Sequence, residues 1–192
     1  MIRSRLTLAA LAVLALLQLG SLGWTVTQRE LALSRGVRFL FQVAPVDPYD
    51  AFRGRYVALG QEDLVHTVGA RSGFRKGQKV FLSVMVDGEG FAHMKDPGIR
   101  PPAGKEAWVS ARVRSVNGDK LRIRPPFSRF YMEEKVAPRA ERAVRRNRAA
   151  PRTSTRPRAW IAVRIRGGIG VIEDLFVDGK PISEYLEEGK NP

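Results

Sequence analysis

Few residues in this sequence could do chemistry, and most of those are basic. Glu62, Asp63 and His66 form a Glu-Asp-x-x-His cluster that His93 could join, and carboxylates with one or two histidines can hold a metal. No recognised ligand spacing supports that, and ordinary surface polar residues account for the cluster, so no metal is expected. There are no cysteines, which excludes thiolate ligands, disulfides and a cysteine nucleophile. No serine lies in a Gly-x-Ser-x-Gly elbow, and none beyond the N-terminal apolar run has a motif that would support a Ser–Lys dyad. Gly167-Gly168-Ile169-Gly170 falls between two expected strands; a phosphate loop should open a helix, so these glycines read as a hairpin turn. No catalytic residue and no cofactor are expected. A hydrolase with an unrecognised site is the enzymatic alternative.

Two groups of residues are better suited to binding. The first lies in the stretch from Asp47 to Leu59. Asp47 can cap a helical turn, Pro48 fits its first position, Asp50 can return to the cap, and Gly54 allows a bend into a strand near Tyr56. Asp50, Arg53 and Tyr56 could form a recognition corner; capping and turn chemistry with internal ion pairs is the structural alternative. The second group is Arg112, Arg114 and Arg122, in a hairpin across Asn117-Gly118. A two-residue loop there sets Val113 opposite Arg122 and mixes apolar and charged residues on both faces. A three-residue loop, Val116-Asn117-Gly118 with Gly118 left-handed, sets Val113 opposite Leu121 and Ala111 opposite Ile123 and makes one face apolar, so it is the expected register. The other face then carries Arg112 and Arg114 across from Arg122 and Lys120. Like charges opposed on a sheet are destabilising unless acidic neighbours or an anionic partner offset them. A face that merely meets water is the alternative.

The elements that position these residues follow from turn signals recurring along the chain. Strands are expected at Val37 to Val46, Tyr56 to Leu59, Val80 to Val86, Phe91 to Met94, Trp108 to Val116, Leu121 to Arg124, Trp160 to Ile165 and Val171 to Val177. A proline- and glycine-rich loop is expected from Asp96 to Lys105. Glu133 to Arg148 is the one soluble helix expected, with acidic residues at its start and arginines at its end; Pro138 interrupts it, so a start at Pro138 with Glu133 and Glu134 in a turn before it is the alternative. The expected fold class is mainly β: a small antiparallel sheet or barrel-like domain with one basic helix, preceded by a single transmembrane helix.

Residues Leu6 to Gln28 carry no charge, and Leu, Ala and Val dominate as far as Leu22. About 20 such residues span a bilayer core. Arg3 and Arg5 precede the run, so the positive-inside rule keeps the N-terminus in the cytoplasm and the rest of the chain outside, periplasmic in a Gram-negative cell. A cleaved signal peptide fits less well: the run is long, and Gly20-Ser21-Leu22-Gly23-Trp24 is a poor cleavage site. The expected organisation is a cytoplasmic tip and anchor over 1–27, a stalk over 28–36, a β-rich domain over 37–186 with a flexible Arg/Pro loop at 149–158, and a tail at 187–192. The chain has 192 residues, 33 basic against 19 acidic, for a net charge of +14. The stretch from Glu133 to Arg158 carries nine of the basic and three of the acidic residues.

The stretch around Tyr56 resembles the signature of the GDYXXLXY family, bacterial membrane-anchored proteins of unknown biochemical role. Gly54, Tyr56 and Leu59 match it; Arg55 stands where the family has Asp, and Gln61 where it has the final Tyr. Arg129-Phe130-Tyr131 followed by Glu133 or Glu134 resembles the family's second block, and Leu175 to Pro181 its closing hairpin. The resemblance implies one N-terminal helix and a β-rich extracytoplasmic domain, and no known reaction.

The expected function is non-enzymatic: an accessory or interaction subunit of an integral membrane protein of the envelope, with Gln18 available to pair with another membrane helix. The alternative is a binding module for anionic lipid or an envelope polymer. Nucleic acid, the usual guess for so basic a chain, is not an expected partner, because the anchor turns the basic surface away from the chromosome.

Overall fold

Leucine and alanine favour helix, and the computed structural model has one unbroken helix, α1 (Ile2–Arg35, 34 residues), over the apolar run. At 1.5 Å per residue it is about 51 Å long, against roughly 30 Å for a hydrocarbon core. Its part Ala10–Arg35 is long and apolar enough to cross a membrane. Among the described residues four hydroxyls within it bond back to the helix's own carbonyls: Ser21 Oγ to Gln18 O and Thr25 Oγ1 to Ser21 O, each at 2.9 Å, and Thr27 Oγ1 to Gly23 O and Ser34 Oγ to Glu30 O, each at 2.8 Å. Such bonds satisfy a hydroxyl where water is absent. The structure describes the backbone of residues 2–42, 44–45, 56–60, 64–69, 73–104, 107–124, 126–127, 129–131 and 159–188, and side chains in these ranges other than 2–9, 44–45, 56–60 and 129–131. The helical turn expected after Asp47, the helix expected over Glu133 to Arg148 and the loop at 149–158 lie outside them.

Among the described residues the named strands pair antiparallel, and two isolated bridges are parallel. A four-stranded sheet has the order β1-β10-β11-β12, from β1 (Val37–Gln42), β10 (Ala159–Arg166), β11 (Ile169–Val177) and β12 (Lys180–Pro181). A five-stranded sheet has the order β4-β8-β7-β5-β6, from β4 (Leu64–Thr67), β5 (Lys79–Val86), β6 (Ala92–Gly98), β7 (Trp108–Asn117) and β8 (Lys120–Arg124). A three-stranded ribbon joins β2 (Ala44–Pro45), β3 (Tyr56–Gly60) and β9 (Arg129–Tyr131). Helix α2 (Ile182–Glu188) follows β12. The five-stranded sheet curls into a near-barrel: Asp96 of β6 comes close enough to His66 of β4 to act on its charge.

Period-two alternation sends Val80, Leu82, Val109, Leu121 and Ile123 of one sheet and Ile161, Val163, Leu175 and Val177 of the other into a single core, each with 0% exposure. Bridges from Leu40 to Phe91 and from Val109 to Gly168 tie the sheets together. The last turns of α1 dock on β10 and β11, where Ala32 is completely buried. Gly36 makes the junction: its N–H donates to Ala32 O at 2.9 Å, and a Cβ there would lie 2.2 Å from that oxygen and 3.1 Å from the Ile165 backbone.

Five expectations need correction. The single strand expected over Val37 to Val46 is divided: β1 ends at Gln42 in the four-stranded sheet, and Ala44–Pro45 pairs with β3 instead. The β7–β8 loop is two residues, Gly118-Asp119, flanked by the pair Asn117↔Lys120. Val116 pairs with Leu121 and Val113 with Ile123, and the difference is absorbed by a bulge between Val113 and Ser115. The faces are as expected, but the register is not, because a bulge inserts an odd residue without turning the apolar side chains out. Strand β6 runs through Asp96 and Pro97 as far as Gly98, where a loop was expected; Asp96, at φ 52°, sits where the β5–β6 register shifts. A proline is tolerated at an edge or bulge. Strand β4 was unforeseen, since its alternation covers only Leu64 to Thr67. Helix α2 was also unforeseen; it buries Ile182 and Leu186, four residues apart, and its Glu188 pairs with Lys180.

Candidate functional site

Strands β7 and β8 present their core side chains inward and leave Arg112, Arg114, Arg122 and Arg124 exposed on the other face. Arg112 stands directly opposite Arg124 and, on its other side, opposite Lys79, so three cations share one row across the sheet. The bulge adds a second outward position on β7: Ser115 faces Arg122, and Arg114 is the extra residue. Before β5, Arg75 to Gln78 make a tight turn with Gly77 at φ 82° and a bond from Gln78 N to Arg75 O of 3.1 Å. A left-handed third residue of this kind is the mark of a type II turn, for which glycine is suited. Gly77 N donates to Val113 O at 2.9 Å, and Arg112 Nη1 donates to Gly77 O at 3.0 Å, so the turn is held against β7 with Lys76 at its tip.

Lys76, Arg112, Arg114, Ser115, Arg122 and Arg124 thereby surround an open cleft of about 460 Å³. Among the described residues no carboxylate lines it. The other sheet offers a direct contrast. Arg38 of β1 and Arg164 of β10 are also opposed, and a bulge in β11 between the pairs Ala162↔Asp174 and Val163↔Ile172 leaves Glu173 as the extra residue. Glu173 accepts from Arg38 Nε at 2.7 Å and from Arg164 Nε at 2.9 Å. Desolvation alone would raise its pKa, but the bonds and charges of Arg164 and Arg38 together hold it below the ordinary glutamate range. One opposed arginine pair is thus closed internally by an anion. The Arg112–Arg124 pair has no described carboxylate across it.

The structure brings Arg112, Arg114 and Arg122 together around this cleft, as their strand parity implied. Tyr56 is elsewhere, on β3 opposite Tyr131; Asp50 and Arg53 lie outside the described residues. Three cleft residues were missed in the sequence. Arg124 shares the parity of Arg122 and was legible from alternation; Ser115 and Lys76 arrive through the bulge and the turn packed on β7.

The two histidines have different surroundings. His66 of β4 is half-buried, its Nε2 has no hydrogen-bond partner among the described residues, and burial lowers its pKa against the raising effect of Asp96. His93 is exposed and bonds Asp87 Oδ2 at 2.7 Å. Asp87 also accepts from the N–H groups of Glu89 and Phe91, and the bonds from His93 and Phe91 lower its pKa. Among the described residues no three His, Asp or Glu side chains converge as a metal site; Glu62 and Asp63 lie outside them.

Fold and cleft define a β-rich domain with a basic surface groove, carried on a helix long and apolar enough to cross a membrane. The chain belongs to the GDYXXLXY family, whose model, described as GDYXXLXY protein, matches residues 18–175. The signature and second blocks of the sequence are neighbours in space: Tyr56, Val57 and Ala58 of β3 pair with Tyr131, Phe130 and Arg129 of β9. The closing block turns at Asp178-Gly179 between β11 and β12. No curated protein and no solved structure matches the chain.

Proposed function

We propose that this chain is a membrane-tethered, non-enzymatic binding module that holds an anionic component of the cell envelope, a lipid or a polymer, in the cleft between β7, β8 and the Lys76 turn. The observation that carries this is the opposed Arg112–Arg124 pair, flanked by Arg122 and Lys76, with no described carboxylate across it. Holding like charges side by side costs stability, and a bound anion offsets that cost. Arg3 and Arg5 before the apolar run favour an extracytoplasmic, inner-membrane placement for the domain. The test is retention of the full-length protein, in uncharged micelles, on heparin over a salt gradient. Steep salt dependence is expected, and the triple variant R112Q/R114Q/R122Q should elute at markedly lower salt than wild type. Wild-type retention of that variant would assign binding to other basic residues and overturn the reading.

A second reading, an accessory subunit of an integral membrane protein, is favoured by the docking of α1 on β10 and β11 through Ala32. A partner that engaged the membrane helix, through Gln18 for example, would act directly on the position of the sheet. Purification of the tagged protein from its own membranes at low and high salt separates the two. A membrane protein retained at high salt supports the subunit; lipid or polymer released by salt supports the binding module.

A further inference from the structure

Glu173 is an internal template for the ligand of the cleft. A single carboxylate accepts from two arginines opposed across strands, at 2.7 and 2.9 Å, one on each oxygen. The cleft has the same opposed pair and more: Arg112 and Arg124 are joined by Arg122, the Lys76 ammonium and the Ser115 hydroxyl. Arg112 is held in place by its bond to Gly77 O, which occupies one of the five N–H groups of a guanidinium. A carboxylate is planar and carries one negative charge, which two arginines already exceed. A phosphate monoester carries close to two negative charges and a diphosphate more, and the oxygens of each phosphoryl group diverge tetrahedrally. It can bridge two guanidinium groups and still reach an ammonium and a hydroxyl.

Resting on the anion-binding function above, we propose that the cleft is a phosphate site, selecting a phosphomonoester or diphosphate over a carboxylate. The phosphate belongs to a lipid headgroup or to a soluble phosphorylated molecule; the chemistry of recognition is the same. Full-length protein in dodecyl maltoside micelles is titrated calorimetrically with inorganic pyrophosphate and, at equal ionic strength, with succinate. Pyrophosphate should bind about tenfold tighter or better, and Arg124→Gln should lose about tenfold, the scale of one charge-assisted hydrogen bond. The thermal midpoint of Arg124→Gln should stay unchanged or rise, because a like-charge pair is removed, which separates lost binding from lost folding. Displacement of pyrophosphate by dihexanoyl phosphatidic acid supports the proposal with a lipid source; pyrophosphate binding without that displacement supports it with a soluble source. Equal affinity for pyrophosphate and succinate overturns the phosphate site while leaving an anion cleft. Absence of binding to either overturns it too, and if the triple variant is also retained on heparin like wild type, the anion-binding function fails with it.

Discussion

Glu173 shows what a single side chain does when a sheet opposes two arginines. It is about one-third exposed (31%), so solvent screens the pair, and its value is modest. Glu173→Gln should lower stability by about 0.5–1 kcal/mol, measured by denaturant unfolding at neutral pH. Its pKa is lowered in the folded state, so the stabilisation is complete above the ordinary glutamate range, from roughly pH 5 upward. It is lost as pH falls through the depressed folded value, and the wild type and variant should converge in stability there. Equal stability at neutral pH would show that the bridge contributes nothing. The arginines of this bridge were present in the sequence, but their relation was not legible: Arg38 and Glu173 are 135 positions apart.

At the scale of elements, hairpin turns and their packing decide register. The β10–β11 loop is Gly167-Gly168, both left-handed at φ 55° and 79°, which suits a two-residue turn and was legible from the glycines. What was not legible is that Gly168 lies under the Trp108 ring: a Cβ there would come within 1.9 Å of Cζ3. Ser110 N and Oγ also donate to Gly168 O, at 2.9 and 3.2 Å, so the turn is sewn to β7. Gly168→Ala should cost about 2–4 kcal/mol from overpacking and left-handed strain together. In a double-mutant cycle, Trp108→Ala should make that substitution less costly, because the overlap is gone and only the backbone strain remains. Additive effects would mean that the ring is not what excludes a side chain. The β7–β8 hairpin makes the complementary point. Its apolar and basic faces were legible from alternation, while its register depended on a bulge with no turn signal of its own.

The whole molecule couples a membrane-length helix to a folded sheet without a free linker. Ala32 is fully buried and Gly36 has no room for a side chain, so α1 and the four-stranded sheet form one unit. Ala32→Glu should destabilise the full-length protein by at least about 2 kcal/mol, since a carboxylate would be forced into an apolar contact. Thermal unfolding in micelles, followed by tryptophan fluorescence, checks this; an unchanged midpoint would mean that the helix end is not held by the sheet. By itself the sequence determined the apolar helix, the mainly β class, the family and the side of its strand on which most residues fall, because helix length and period-two alternation are local properties of the chain. Only the tertiary structure decided which cations face one another, and that Glu173 closes one pair while no described carboxylate closes the other. Those relations arise from bulges and from strands distant in sequence, and local pattern contains no information about what stands on the next strand.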